Sequence, residues 1–319
     1  MLKYVLKRIA LMLMSFVIIV SICFILIKLV PINDGTDIIR NEMEKALREA
    51  LGYNEPLITQ LGIYLKNLFT KLDLGISWKI QRTIPVSEMI VEKLPPTVII
   101  NVYSLLLSTP IGIALGIYAA LKKNKWQDHF VSTIVMVFVS VPSFVFAFLL
   151  QYFIGYKWQL LPIQMSSLFD AGGSYFTWTM TKSLILPVLA LSFGSIAGLT
   201  RFTRAELTES LTSDYMLLAR TKGLTKGQAV TRHALKNAMV PIFPSIISSF
   251  VSVLSGSLVI ERVFAINGIG GLYLKSISEL DYDVFMGCNV FYIFIGLAAA
   301  IVVDLSYGFI DPRIRMGAK

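Results

Sequence analysis

The sequence predicts an all-α membrane protein with six transmembrane helices. Three observations predict it. Of its 319 residues, 55% are hydrophobic and only 15% are charged, less charge than a soluble domain of this length carries. Six apolar stretches are each long enough to cross about 30 Å of hydrocarbon as a helix. These runs lack the two-residue alternation of a barrel strand, and in lipid only helices and closed barrels satisfy their own backbone.

The first stretch, Ile9–Val30, follows Lys3, Lys7 and Arg8 as a signal peptide would. It is longer than the apolar region of such a peptide, and no small-x-small cleavage pattern follows, so it reads as a retained anchor over residues 1–30. Residues 31–97 form an insert. Helical spacing runs over Asp37–Leu51 and again over Glu55–Leu72, where Leu57, Leu61, Leu65, Leu68 and Leu72 make one stripe. Short helices lying on the outer face are expected there, with a turn at Leu72–Gly75. A core of five helices spans residues 98–309, over Val98–Leu121, Val131–Tyr152, Ser183–Thr200, Pro241–Ile260 and Phe285–Tyr307. The stretch Ser183–Thr200 contains Pro187, Gly194 and Gly198 and is expected to be broken or tilted. Residues 310–319 form a tail.

An even number of spans puts both termini on one side, and the basic residues choose which. With the termini cytoplasmic, the inner segments hold Lys122, Lys123, Lys125, Arg201, Arg204, Arg220, Lys222, Lys226, Arg232, Lys236, Arg313, Arg315 and Lys319. The short outer loops hold only Lys157, Lys182, Arg262 and Lys275. That bias follows the positive-inside rule. Lys28 can snorkel outward. Asp304, near the inner end of the last span, is read first as the partner of a nearby arginine or a helix N–H, and second as a transport residue. Cys23 and Cys288 read as packing residues, neither a disulfide framework nor a zinc site. His129 and His233 lie in different loops and build no metal site or histidine-based triad. Nothing points to a nucleic-acid partner.

The most informative segment is the loop Asp214–Pro241, DYMLLARTKGLTKGQAVTRHALKNAMVP. Ser213 suits an N-cap, and Gly223 suits the residue after a helix end, where the chain turns through positive φ. Thr225 and Gln228 match a capping box opening a second helix. Met216, Leu217, Ala219 and Leu224 are expected to form an apolar knob flanked by Arg220, Lys222 and Lys226. Such a helix pair suits a soluble docking partner; the alternative is a basic loop held on anionic headgroups.

This loop resembles the cytoplasmic coupling loop of ABC importer permeases. Ala219 and Gly223 match the second alanine and the glycine of the general pattern. Leu217 and Leu218 stand in place of Glu-Ala, and Gly223 lies further from Pro241 than usual. Both departures resemble the oligopeptide/dipeptide/nickel branch, which is similar in SDYMLLARTKGL and RHALKNAMVP. The likeness extends through LKYVLKRIA, LGYNEPLITQLGIYLKNLF, LDLGIS, IPVSEMIVEKLPPT, NKWQD, VSVPSFVFAFLLQY, VIERVFAINGIGGL, DYDVFMG and VDLSYGFIDPRIR, with Asn267 where the branch usually has proline. The closest match is to the B-type oligopeptide permease subunits.

The resemblance implies a type I ABC importer permease in a bacterial cytoplasmic membrane, importing oligopeptides; dipeptide, nickel or opine import are the alternatives. It implies a second homologous permease, two ATP-binding subunits, an extracellular peptide-binding protein and surrounding lipid as partners. The chain has no G-x-x-x-x-G-K-[ST] segment, so it is not expected to cradle ATP phosphates itself; no cofactor is expected on this chain, and ATP and Mg are expected on the partner subunits. Coupling falls to Asp214, Tyr215, Ala219, Arg220, Lys222, Gly223 and Leu224. In the fifth span, Ser248, Ser249, Ser252 and Ser255 are candidates to line the pathway, against a reading of close helix packing. Glu279, Asp281 and Asp283 either face water or meet a peptide's amino terminus at the outer mouth. An intramembrane enzyme would need a nucleophile–base pair or metal motif that the spans lack. A passive channel would need no ATPase.

Overall fold

The computed structural model describes residues 2–29, 49, 52, 54–253 and 257–310. Among these the chain is helical, apart from turns and one isolated bridge between Ile76 and Pro85. In chain order the helices are α1 (Leu2–Lys28), α2 (Leu57–Lys71), α3 (Val86–Leu121), α4 (Trp126–Ser140) and α5 (Ser143–Leu150), which runs into a π-helical turn at Gln151–Lys157. They continue as α6 (Trp178–Leu211), α7 (Asp214–Thr221), α8 (Lys226–Ala229), a π-turn Val230–Ala234, α9 (Leu235–Ser252), α10 (Leu258–Val263), α11 (Ile269–Ser278) and α12 (Tyr282–Ile310).

The leucine stripe of the insert packs as its spacing requires. Leu57, Leu61, Leu65 and Leu68 of α2 lie against Phe16, Val20 and Phe24 of α1 and Met286 and Val290 of α12. Leu72 departs from the expectation: it ends α2 in the left-handed region, φ 54°, and points outward. The expected helix Asp37–Leu51 lies outside the described residues except for Glu49.

Helices α3 and α6 form the centre of the bundle and run parallel. Ser104 pairs with Ser192, Oγ to Oγ 3.1 Å, and eight residues further along both helices Thr200 donates to the Gly112 carbonyl at 3.2 Å. Two parallel helices must be joined by an odd number of crossings. The connecting α4 and α5 are bent by 97°, so together they make one broken span, and the bundle crosses six times. The span expected over Val131–Tyr152 is therefore present, but broken after Ser140. Pro142 disfavours a helical conformation at Val141, which sits at φ −91°, ψ 124°. The far arm of the bend is tied down by Gln151, whose Nε2 donates to the carbonyls of Ile163 (2.9 Å) and Val263 (2.8 Å).

Of the two alternatives for the fourth span, broken or tilted, the break is absent. Helix α6 continues for 34 residues with Pro187 inside it. Pro187 is buried, and packing on neighbouring helices sustains a proline-containing membrane helix that would break in water. The fifth span ends earlier than Ile260: α9 closes at Ser252, and Ile260 belongs to α10, fully buried beside Phe264. Helices α1 and α12 are antiparallel, with Arg8 and Asp304 paired at 3.0 Å. The start of α1 and the end of α12 thus share one face of the bundle, and the arginine partner expected for Asp304 is Arg8.

Candidate coupling surface and pathway cavity

Helix α7 starts after Ser213, which occupies the N-cap position with extended backbone but makes no cap bond; its hydroxyl donates to the Ser210 carbonyl at 2.6 Å. The helix ends in a Schellman motif. Gly223 turns at φ +88°, its N–H donates to the Arg220 carbonyl at 3.0 Å, and Leu224 N–H reaches back to Ala219 at 3.3 Å. The capping box follows as the sequence predicts: Thr225 N–H donates to Gln228 Oε1 at 3.0 Å and Gln228 N–H to Thr225 Oγ1 at 3.4 Å. Both helix ends are thus satisfied internally.

The apolar knob is not as expected. Met216 and Ala219 are buried in the protein's own cluster, with Leu207 of α6 and Ala229, Val230, Ala234 and Ala238 on the returning chain. Tyr215 and Leu224 are half-buried against the same cluster. Leu217 and Leu218 face outward, 68% and 55% exposed, beside exposed Asp214, Arg220, Lys222 and Gly223. Ala219 is therefore an anchor of the loop and not part of its outer surface. An open concavity is lined by Leu217, Arg220, Thr221, Gly223, Leu224, Thr225 and Lys226.

Three residues before Leu207, Arg204 grips Asp128 of α4 through Nε (2.5 Å) and Nη2 (2.7 Å). Asp128 is buried, and its second oxygen also accepts from Asn124 N–H at 2.9 Å. Arg204, counted in the sequence among the basic residues of the inner segments, is thus engaged inside the chain. Contacts run without a break from the loop helix through α6 to α4.

Midway along the bundle, α3, α6 and α9 enclose a cavity of about 450 Å³. Asn101, Ser104, Ser108, Thr109, Ser195, Ser245, Ser248 and Ser249 supply its polar lining. Two of the four pathway candidates, Ser248 and Ser249, thus reach it. Ser252 closes α9, and Ser255 lies outside the described residues. Asn101, Ser104 and Ser108 escaped the sequence reading, although their spacing of three and four puts them on one helical face.

At the opposite end from the coupling loop, the acids are not free. Asp281 is fully buried, and its Oδ2 accepts from Ser77 Oγ (2.7 Å) and from the N–H groups of Trp78 (3.1 Å), Lys79 (2.9 Å) and Ile80 (3.1 Å). Asp283 is buried and accepts from Trp78 Nε1 at 2.9 Å. The expectation that these two carboxylates face water or greet a substrate is corrected: they hold the Ser77–Ile80 turn. Glu279 alone of the three is exposed. Nearby, buried Glu261 accepts from Thr97 Oγ1 (2.9 Å), Gly270 N–H (2.8 Å) and Gly271 N–H (3.2 Å). Burial pushes its carboxyl above the ordinary range, against the opposing pull of those bonds.

Six crossings, a polar cavity between helices and a self-capped helix pair at one end define an integral membrane protein of the permease class. Comparison with known proteins agrees. A family model described as binding-protein-dependent transport system inner membrane component matches residues 112–316. The dipeptide transport system permease protein DppB of Lactococcus lactis subsp. cremoris (strain MG1363) is 34% identical over 320 residues, covering 99% of this chain and 100% of that protein. The DppB of Bacillus subtilis (strain 168) is 33% identical over 326 residues, with 100% of both chains covered. The crystal structure of an amino acid ABC transporter with histidines superposes with a TM-score of 0.50 at 17% identity, over 69% of this chain and 94% of that one, a likeness of fold alone. The chain belongs to the binding-protein-dependent transport system inner membrane component family, the permeases of ABC importers.

Proposed function

We propose that the chain is a permease subunit of an ATP-driven peptide importer, forming half of the translocation pathway. The observation that carries this reading is the continuity from loop to cavity. Met216 and Ala219 key the loop into Leu207 on α6, and α6 contributes Leu191, Ser195, Gly198, Leu199 and Phe202 to the cavity wall. A push on the loop is delivered along one packed helix to the pathway, as a two-state element requires.

In this reading a second, similar permease closes the other side of the cavity, and two ATP-binding subunits supply the energy. An extracellular binding protein delivers the peptide, and both termini face the cytoplasm of a bacterial cell. The chain itself hydrolyses nothing. On the loop, Leu217 and Leu218 are the apolar contacts, Arg220, Lys222 and Lys226 favour an acidic rim on the partner, and Gly223 sets the turn.

The cavity lining supports a peptide over a metal cargo. Hydroxyls and one carboxamide match the donors and acceptors of passing backbone amides without gripping them. The lining offers no imidazole, the side chain that suits nickel. Oligopeptides are the favoured cargo. Dipeptides are the second reading, supported by the names of the relatives above. Uptake competition in cells carrying the complex, with unlabelled peptides of two to six residues against a labelled one, separates them. Inhibition by dipeptides alone would replace the first reading with the second, and no inhibition by any peptide would remove both.

A further inference from the structure

A second groove, of about 330 Å³, lies between α4 and α6 and plays no part in the pathway. Its wall is mostly apolar: Val131, Val135, Met136 and Val139 line it from α4, with Ser132 and Ser140 on the same helix and Thr200 on α6. Its mouth is cationic, formed by Arg201 and the flank of Arg204. The two arginines differ. Arg204 is held by Asp128, whereas Arg201 is exposed, and among the described residues no carboxylate pairs with it. The turn that carries Lys122, Lys123 and Lys125 sits at the same end, because Asn124 N–H bonds the carboxylate that Arg204 grips.

The direction of the groove decides its occupant. At about 100° per residue, Thr200, Arg201 and Arg204 face roughly opposite to Ser195, Gly198 and Phe202, which line the pathway cavity. The groove therefore opens away from the side where a facing permease would close the pathway, towards lipid. From Val131 to Ser140 it runs about 13 Å, most of the ~15 Å half-thickness of a hydrocarbon core. A cation at the interfacial end of an apolar slot of that length matches one molecule: an anionic phospholipid standing with its headgroup at the interface.

We propose that this groove binds an anionic phospholipid, with an acyl chain along Val135, Met136 and Val139 and the phosphate on Arg201. A bound lipid there bridges the near arm of the broken span to α6. It fills the space that separates them below the bend at Val141–Pro142.

Native mass spectrometry of the purified complex, titrated with phosphatidylglycerol and with phosphatidylcholine, tests this. The unmodified complex should retain phosphatidylglycerol in preference to phosphatidylcholine. Arg201→Gln should weaken phosphatidylglycerol about fivefold, the share of one basic residue near an anionic surface, and leave phosphatidylcholine unchanged. Arg201→Lys should keep most of the preference, and Met136→Trp, which fills the slot, should weaken both lipids. Equal retention of the two lipids by the unmodified complex would overturn the proposal without any variant. So would an unchanged titration for Arg201→Gln, or a cross-link from Met136→Cys to a neighbouring protein subunit, which would mean that protein covers the groove.

Discussion

Gly223 and Gly268 stand at helix boundaries at the two polar ends of the bundle, and a side chain is barred from each for a different reason. Gly223 has open space around it, with nothing within 4 Å of a built Cβ, but its backbone turns at φ +88°. Gly268 has an ordinary φ of −102°, but a Cβ there would collide with Glu261 Oε2 and Thr97 Oγ1. The coupling loop is shaped by conformation and keeps its own charges, Asp214, Arg220, Lys222 and Lys226, on the surface. The far end is shaped by close packing and spends its carboxylates on internal hydrogen bonds. Both segments mix glycine with charge in the sequence; they part when each backbone N–H is asked for its acceptor. The ends of α7 and α8 supply their own, whereas the turn at Trp78–Ile80 borrows Asp281.

Substitutions sharpen or break this contrast. The largest effect is expected at Asp281→Ala, which strands the N–H groups of Trp78, Lys79 and Ile80 and the Ser77 hydroxyl. About 3 kcal/mol or more should be lost, read as a lower midpoint of thermal unfolding in detergent. Glu279→Gln, two residues away and exposed, should stay within about 0.5 kcal/mol of the parent. Equal losses for the two would erase the distinction between buried and solvated acids. Next comes Gly268→Ala, where displacing Glu261 or Thr97 should cost about 2 kcal/mol. An unaltered melting curve would show that the far end is looser than described.

At the coupling end, Gly223→Val should cost about 1–3 kcal/mol locally and abolish peptide uptake while membrane insertion persists. Asparagine tolerates the left-handed region, so Gly223→Asn should retain uptake, and the ratio of the two rates measures how far conformation alone sets the turn. The smallest effect on folding belongs to Leu217→Ser combined with Leu218→Ser. Stability should move by less than about 0.5 kcal/mol, yet the ATP-binding subunit recovered on affinity purification should fall severalfold. Full recovery would move the docking surface elsewhere.

What the sequence revealed followed its local rules. The capping box at Thr225 and Gln228, the turn at Gly223 and the α2 stripe each rest on residues within about four positions of one another, and each appears in the structure. Most of its misreadings involved distant partners. The bend after Ser140 interrupts a run that stays apolar on both sides, so hydropathy gave no sign, and only Pro142 marked it. Helix α6 keeps its Pro187 because buried packing outweighs propensity. Met216 and Ala219 were assigned to the outer surface because an apolar residue on a short helix has two faces to choose from, and Leu207 decides the choice. The pairs Asp128–Arg204, Ser77–Asp281 and Thr97–Glu261 join positions 76, 204 and 164 residues apart, separations at which local spacing carries no information.

The account depends on the outward face of α7 meeting an ATP-hydrolysing subunit in the cytoplasm. A single cysteine at Leu218→Cys, probed in intact cells and in the purified complex, measures this directly. The account predicts a cross-link to the ATP-binding subunit and no labelling by an impermeant maleimide from outside. Labelling from outside, with no cross-link to any such subunit, would contradict it.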